Sequence, residues 1–212
     1  MNTLILDCSC GMGVYLIKDN EVFSYADLNQ AKHSDELLQV VDKLLIQSEL
    51  KIKDVENIGI CIGPGSFTGI RVAISLAKGL VVGTGAKIFT LTNFDIYDVI
   101  DKENSYLILD GFSSIVYARR FFNSSFEDVC LDLNQLKKDL DTNNFNVYVG
   151  LEKTQNLLNK YEINSKMVQN NIIDAFKTKI QCGESISLNQ IFPVYLRASQ
   201  AEIERENKLK NG

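Results

Sequence analysis

The sequence contains a single histidine, and this scarcity excludes a large class of metalloenzymes. His33 is the only imidazole among 212 residues. Zinc sites built on two histidines, such as the His-Glu-x-x-His helix of metallopeptidases, cannot form within this chain. We therefore predict no metal site and disfavour a metallopeptidase.

Cysteine and proline are also poorly represented. The five cysteines are odd in number and include no Cys-x-x-Cys pair, and several lie in apolar, strand-like runs. This pattern favours reduced structural thiols over disulfide, redox or zinc chemistry. Only two prolines occur, and no linker-like stretch divides the chain.

The chain has no surplus of positive charge. Its formal net charge is −5 and its calculated pI is about 5.0. These values argue against a protein that binds nucleic acid by itself. The N-terminus, MNTLILDCSC, has no basic region or cleavage site ahead of its apolar segment. These features predict a soluble, cytoplasmic protein that does not enter a membrane.

The glycine-rich stretch IGPGSFTGIRVAIS (62–75) fails each standard phosphate-binding or nucleophile pattern. The Walker A spacing is absent, the dinucleotide fingerprint misses its third glycine by one position, and no Gly-x-Ser-x-Gly elbow is present. The stretch is then predicted to be a strand, a tight turn and the start of a helix. The free backbone amides at the start of that helix either hold an anion or are capped by Ser66 or Thr68. The residues of this turn are Gly63, Pro64, Gly65, Ser66, Thr68 and Gly69.

An internal repeat predicts a duplicated α/β fold. The letters LILD occur from Leu4 and again from Leu107, each time as an apolar strand that ends in aspartate. A small-residue turn, a second strand with Val-Tyr, a helix and an apolar strand ending in glycine follow in both copies. We predict two halves, 1–103 and 104–212, with a ββ(β)αβα plan that is abbreviated in the second half.

Hydrophobic periodicity gives the individual elements. Strands are predicted at 3–8, 13–18, 21–26, 57–62, 87–90, 105–110, 114–122 and 146–150, with a weaker one near 165–169. Helices are predicted at 34–48, 67–82, 92–101, 132–140 and 151–160. We expect residues 192–199 to be extended and the charged segment 202–210 to be a solvated helix or disordered.

The predicted helix 67–82 carries two apolar stripes and only a narrow polar one. A helix that lies on its own sheet needs one apolar side. This helix is therefore either enclosed within the protein or presents a second apolar face to another molecule. The pattern alone favours neither reading.

The two aspartates that end the repeated strands suggest a second function. A duplicated half of this plan is typical of the actin, Hsp70 and sugar-kinase (ASKHA) superfamily, whose halves close over ATP and its metal. Asp7, Ser9 and Asp110 would face that cleft and hold Mg²⁺ through water or bind phosphate. The corresponding activity is that of an ATP-dependent small-molecule kinase or nucleotidase.

Four segments resemble one family, TsaB, also called YeaZ. They are LILDCS near the start, KHSDELL (32–38), GPGSFTGIRVAISLAKGLVVG (63–83) and PVYLR (193–197). The resemblance covers the N-terminal half closely. The C-terminal half departs from it, because Asp110-Gly-Phe-Ser-Ser-Ile-Val-Tyr117 stands where the family has Asp-Ala-Arg-x-x-Glu-Val-Tyr, and residues 125–190 are divergent.

The resemblance implies an actin-like fold and a non-catalytic dimerisation subunit in tRNA threonylcarbamoyladenosine biosynthesis. The implied partners are a TsaD-type paralogue, a TsaE-type P-loop ATPase and, for the isolated chain, a second copy. Contact with tRNA is implied to be indirect. No cofactor is expected on this subunit alone, whereas ATP and Mg²⁺ are allowed in the complex. The implied interface comprises Ile70, Ala73, Ile74, Ala77 and Val81, with Leu37 and Val41 on the first helix. The turn at 63–69 would then lead into the helix that forms this interface.

Overall fold

A computed structural model of the chain describes residues 1–27, 33–97, 99, 102–111, 114–123 and 125–197. The first part contains β1 (Thr3–Asp7), β2 (Met12–Lys18), β3 (Glu21–Asp27), α1 (His33–Gln47), β4 (Asn57–Cys61), α2 (Phe67–Thr84) and β5 (Lys87–Leu91). The second part contains β6 (Asn104–Asp110), β7 (Ile115–Phe122), β8 (Ser125–Asp132), α3 (Leu133–Thr142), β9 (Asn146–Val149), α4 (Glu152–Lys160), β10 (Lys166–Met167) and α5 (Ile172–Gln181). Short 3₁₀ helices lie at Ile52–Asp54 and Leu188–Gln190.

The two halves share one sheet topology. The first sheet has the order β3-β2-β1-β4-β5 and the second the order β8-β7-β6-β9-β10. In both sheets the first three strands in sequence pair antiparallel, and the last two add in parallel. The duplicated actin-like plan predicted from the repeat is confirmed.

Alternation along the strands divides the core of the first half between two faces. Leu4 and Leu6 on β1 pack with α1 and α2, whereas Ile5 faces the opposite side and packs with residues of α5. Successive strand residues point to opposite faces, so a strand buried on both sides is apolar throughout. This explains the unbroken apolar run Leu4–Leu6 of β1.

The last part of the chain returns to the first half. Phe176 on α5 is fully buried and lies so close to Gly59 of β4 that a Cβ there would meet its ring at 2.7 Å. Ile186 pairs with Ile88 of β5, and the amide of Val194 donates to the carbonyl of Ile62 at 2.7 Å. Residues 168–197 therefore connect the second half to the first.

Two sequence predictions about the elements are wrong, and one helix was missed. The second half is not short of a strand, because β8 supplies the third member of its meander. The amphipathic helix α5 was not predicted at all. The predicted helix 92–101 is absent from its described residues: the segment turns at 93–96, and its carbonyl at Ile96 accepts instead from the amide of Asn171 at 2.7 Å.

Two predictions concern the C-terminal end. Residues 192–197 adopt no regular secondary structure, although Val194 bonds to the segment after β4. The charged segment 202–210 lies outside the described residues.

Candidate docking helix and interdomain cleft

The turn at 63–69 packs tightly against the β1–β2 connection. The amide of Ser66 donates to the carbonyl of Ser9 at 2.7 Å. A Cβ at Gly65 would meet that same oxygen at 2.5 Å, and a Cβ at Gly69 would meet the Cys8 carbonyl oxygen at 2.0 Å. The glycines are needed here because two backbone segments approach closely.

Ser66 is the cap of α2. Its side-chain oxygen accepts a hydrogen bond from the amide of Gly69 at 3.2 Å, and its own backbone is extended, as is typical of an N-cap residue. Thr68 lies within the first turn and is exposed. Because the amides of Ser66 and Gly69 both have partners inside the protein, the turn positions a helix rather than offering those groups to an anion.

The inner face of α2 holds most of the residues that the family resemblance assigns to an interface. Ile70, Ala73 and Ala77 are fully buried and Ile74 is 7% exposed, all against the first sheet and α1. Leu37 and Val41 on α1 are each 1% exposed, and Val81 is half-buried. A partner could reach the buried side chains only by opening this core, so an interface on α2 has to use other residues.

The outer face of α2 is polar in its first half, at Thr68, Arg71 and Ser75, and is apolar and open around Gly79, Val82 and Gly83. Val82 is 77% exposed, and a Cβ at Gly79 or Gly83 would have no neighbour within 4 Å among the described residues. Within the part of the chain that the structure describes, α2 is the one helix long and apolar enough to cross a membrane by length and composition, yet only 28% of its residues are buried. The apolar surface of α2 thus exceeds what the described part of the chain covers.

A segment near the end of the described chain covers one flank of α2. The ring of Tyr195 stacks on Phe67 with a centroid distance of 4.3 Å, and its hydroxyl accepts from Nε of Arg71 at 2.6 Å. Lys78 donates to the carbonyl of Ile191 at 3.2 Å. These contacts give PVYLR and the Arg of GPGSFTGIR a joint structural role that sequence separation concealed.

Asp7 lies in the cleft with its charge little compensated. Its Oδ1 accepts from the amide of Ser9 at 3.0 Å and from the Ser9 hydroxyl at 2.5 Å. Burial raises the pKa of Asp7 more than these two bonds lower it. Burial, and after it the nearby charge of Asp7, raises the pKa of the Cys10 thiol to about 12, so Cys10 is not poised as a nucleophile.

The cavity beside Asp7 is much smaller than a nucleotide site. Its volume is about 70 Å³, whereas pockets for small ligands usually hold about 300–1,000 Å³. Asp110 is not among its lining residues and pairs instead with Lys153 at 2.6 Å. Among the described residues no group of three or more His, Cys, Asp and Glu side chains could hold a metal ion.

Arg119, which donates three hydrogen bonds to carboxylates, was not predicted from the sequence. It is 6% exposed, forms a bidentate pair with Asp128, and lies between the rings of Phe94 and Phe126 at 4.9 and 4.1 Å. It also lines an open cavity of about 510 Å³, together with residues of β7 and β8 and with Phe94, Asp95, Tyr97, Lys102 and Glu103. The only sequence signal was a charged pair within an otherwise apolar strand, IVYARRFF.

Comparison with known proteins identifies the family. The family model of TsaD, tRNA N6-adenosine threonylcarbamoyltransferase, matches residues 25–132, half of the chain. The tRNA threonylcarbamoyladenosine biosynthesis protein TsaB of Haemophilus influenzae is 26% identical over 224 residues, which cover 93% of this chain and 94% of that protein. The tRNA N6-adenosine threonylcarbamoyltransferase of Paracoccus denitrificans is 38% identical over 53 residues, 25% of this chain and 15% of that protein.

Solved structures agree on the fold. A crystal structure from Pseudomonas aeruginosa, described as an uncharacterized protein with similarity to peptidase YeaZ, superposes with a TM-score of 0.70 at 20% identity, covering 92% of this chain and 99% of that one. A second structure, YeaZ from the same organism, gives a TM-score of 0.69 at 18% identity over 92% of this chain and 99% of its own. The resemblance to TsaB (YeaZ) is thereby confirmed, and the chain belongs to the family of proteins described by the tRNA N6-adenosine threonylcarbamoyltransferase model.

Proposed function

We propose that this chain is a non-catalytic subunit in the biosynthesis of threonylcarbamoyladenosine on tRNA, and that it acts by pairing with a TsaD-type paralogue. The pathway is supported by the names of its relatives, TsaB and tRNA N6-adenosine threonylcarbamoyltransferase. A cytoplasmic location follows from a tRNA substrate. The observation that supports the pairing is the open apolar surface around Gly79, Val82 and Gly83 on α2. The single histidine of the sequence supports a role without metal chemistry.

The contact residues proposed here differ from those implied by the family resemblance. They belong to the outer face of α2, where Val82 is exposed and where Gly79 and Gly83 allow another backbone to approach closely. The neighbouring helix α1 adds Leu38 and Ile46, which are 56% and 70% exposed. Exposed apolar side chains on two adjacent helices are typical of a helical docking surface.

The proposed partner is the paralogue in preference to a second copy, and both can be tested in one experiment. The chain is measured by size-exclusion chromatography with light scattering, alone and mixed with the TsaD-type paralogue of the same cell. We expect a 1:1 complex that replaces any homodimer. A TsaE-type ATPase is expected to join that complex and not the isolated chain, with ATP and Mg²⁺ present.

The matched variants are Val82→Glu on α2 and Asn156→Glu on α4. Both positions are exposed helix surface, so both variants should remain folded. Val82→Glu should weaken the complex at least about tenfold, because a charge would be buried without a partner, whereas Asn156→Glu should leave it unchanged. Equal affinity of the two variants would contradict the proposed interface.

The rival function, an ATP-dependent kinase or nucleotidase at Asp7 and Asp110, requires nucleotide binding. Isothermal titration with ATP and Mg²⁺ separates the two functions. The small cavity and the Lys153 pair lead us to expect no binding by the isolated chain, and tight binding that is lost in Asp7→Ala would favour the enzyme.

A further inference from the structure

The outer face of α2 carries a cation that meets no carboxylate. Arg71 is exposed, and its one hydrogen bond among the described residues goes from Nε to the Tyr195 hydroxyl at 2.6 Å. The other cation of the helix, Lys78, donates to the backbone carbonyl of Ile191. The sequence of α2 contains no aspartate or glutamate. The helix therefore presents positive charge, although the chain as a whole has a net charge of −5.

Tyr195 holds the Arg71 guanidinium in one orientation. The Tyr195 ring stacks on Phe67 with the ring planes 6° apart, so the position of its hydroxyl is fixed. The guanidinium carbon of Arg71 lies 5.4 Å from the centre of the same ring. Because the bond to Tyr195 uses Nε, the two terminal nitrogens stay available. A guanidinium that is oriented before binding loses less entropy when it pairs bidentately with a carboxylate.

Arg71 lies on the same side of α2 as the apolar surface around Val82. About three turns of helix separate the two residues, or about 16 Å along the axis at about 1.5 Å per residue. Ser75 and Gly79 lie between them and are exposed. Both are small, so the backbone of another helix can approach closely here. A partner helix that lies along α2 and covers Val82 therefore also reaches Arg71.

We propose that Arg71, oriented by Tyr195, binds a carboxylate of the partner, supplied by an aspartate or glutamate on a helix that lies along α2. This inference rests on the proposed function, because the partner is the TsaD-type paralogue proposed above. It adds the chemistry of the contact, which is one acidic side chain about three turns from an apolar end. A partner without that acid would bury Arg71 without a counter-charge, so the pair selects between partners.

The affinity of variants of the full chain for the paralogue tests the proposal. Dissociation constants are measured by isothermal titration for the wild-type protein, Arg71→Met and Lys87→Met. Lys87 is an exposed lysine on β5 and provides the matched control. We expect Arg71→Met to weaken binding at least about tenfold, because the carboxylate of the partner would be buried unpaired. Lys87→Met should change it less than about twofold, and equal affinities of the two variants would overturn the proposal.

Two further readouts separate an ion pair from a structural role of Arg71. Raising potassium chloride from about 0.05 to about 0.5 M should weaken binding of the wild-type protein more than that of Arg71→Met, because salt screens the pair. Arg71→Lys keeps the charge but loses the planar fork, so its affinity should lie between those two. An equal salt response of the wild-type protein and Arg71→Met would show that no carboxylate pairs with Arg71.

Tyr195→Phe tests whether the hydroxyl orients the guanidinium. The ring remains available to stack on Phe67, and only the acceptor of the Arg71 hydrogen bond is removed. We expect binding to weaken about threefold in the wild-type background and to stay unchanged in the Arg71→Met background. Equal losses in both backgrounds would mean that Tyr195 acts independently of Arg71. Thermal unfolding of each variant establishes that the fold is retained.

The same titrations distinguish failure of this inference from failure of the proposed function. If Val82→Glu weakens the complex and Arg71→Met does not, the docking surface stands and the carboxylate contact is wrong. If neither substitution weakens it, or no complex forms, both are wrong. Titration of the assembled complex with tRNA covers the alternative anion. A loss of tRNA affinity in Arg71→Met, at unchanged affinity for the paralogue, would assign Arg71 to a phosphate and overturn the proposal.

Discussion

Arg119 on β7 donates a hydrogen bond of 2.6 Å to Asp95, which lies between the two sheets. Its other donors reach Asp128 on β8. One buried guanidinium thus ties the segment after the first sheet to the edge of the second sheet. Because the guanidinium is buried and its hydrogen bonds are directional, this contact restrains how the two halves are oriented.

Removing one carboxylate of this cluster should destabilise the protein. We expect Asp95→Ala to lower the free energy of unfolding by about 1–3 kcal/mol, since Arg119 loses a charged acceptor but retains Asp128. Urea unfolding followed by circular dichroism measures the change. The control is Asp174→Ala, whose carboxylate is 78% exposed and lies 3.9 Å from Lys177, and it should change the free energy by less than about 0.5 kcal/mol.

The contribution of Asp95 should disappear in acid. Burial raises the pKa of Asp95, but hydrogen bonds from Thr92 and Arg119 and the charge of Arg119 outweigh it, so the pKa lies below its usual 3.8. Stability from a lowered carboxyl pKa is present above the unfolded-state value and is lost as pH falls through the folded-state value.

We therefore expect the stability difference between the wild-type protein and Asp95→Asn to be constant from about pH 7 to pH 5 and to shrink below about pH 4. Urea midpoints across this range provide the measurement. A difference that stays constant to about pH 2 would show that Asp95 acts through packing and not through its charge.

Two glycines of α2 should respond to alanine in opposite directions. At Gly69 the new Cβ would meet the Cys8 carbonyl oxygen at 2.0 Å, whereas at Gly79 it would meet no atom of the described residues within 4 Å. We expect Gly69→Ala to cost about 1–3 kcal/mol through displaced backbone and Gly79→Ala to stabilise the isolated chain by about 0.5–1 kcal/mol through helix propensity. Thermal unfolding of both variants tests this pair, and destabilisation at Gly79 would indicate a neighbour in solution.

The contribution of the Ser66 cap of α2 to the unfolding free energy should also be measurable by thermal unfolding. Ser66→Ala removes the oxygen that accepts from the amide of Gly69 and should cost about 1 kcal/mol. Ser75→Ala, at an exposed position in the middle of α2, should be neutral or slightly stabilising. If the two substitutions have equal effects on the unfolding free energy, Ser66 does not cap the helix.

The inner and outer faces of α2 should differ under the same substitution. Ala77 is fully buried and Val82 is 77% exposed. Ala77→Glu should lower the free energy of unfolding by more than about 3 kcal/mol, because it buries an unpaired charge, whereas Val82→Glu should change it by less than about 0.5 kcal/mol. Circular dichroism with urea unfolding distinguishes them, and a stable Ala77→Glu variant would mean that the inner face can open.

Local patterns in the sequence were sufficient for most of the fold. The repeated LILD strands, their Val-Tyr partners and the apolar stripe of α1 each carry their own periodicity, so their type and order could be predicted. The start of α2 could also be placed, because Ser66 precedes an amphipathic run and the turn residues before it are distinctive.

Other elements were missed because distant contacts determine them. Residues 93–96 have a helical apolar pattern, but the backbone of Asn93 is bonded to Gly63 and that of Ile96 to Asn171. The strand β8 carries Glu127 and Asp128 on a weakly apolar background, and its pairing with β7 holds it in place. The contacts of Arg119 and Tyr195 join residues that no local pattern relates.

The sequence by itself determined that α2 is too apolar for one buried face, because its composition and spacing are local properties. Only the tertiary structure decided which apolar residues of α2 stay exposed to solvent. Sheet and α1 cover Ile70, Ala73 and Ala77, the segment around Tyr195 covers one flank, and Val82 remains exposed. Burial depends on which other segments of the chain pack against a helix. Hydrophobicity alone does not determine which side of the helix those segments cover.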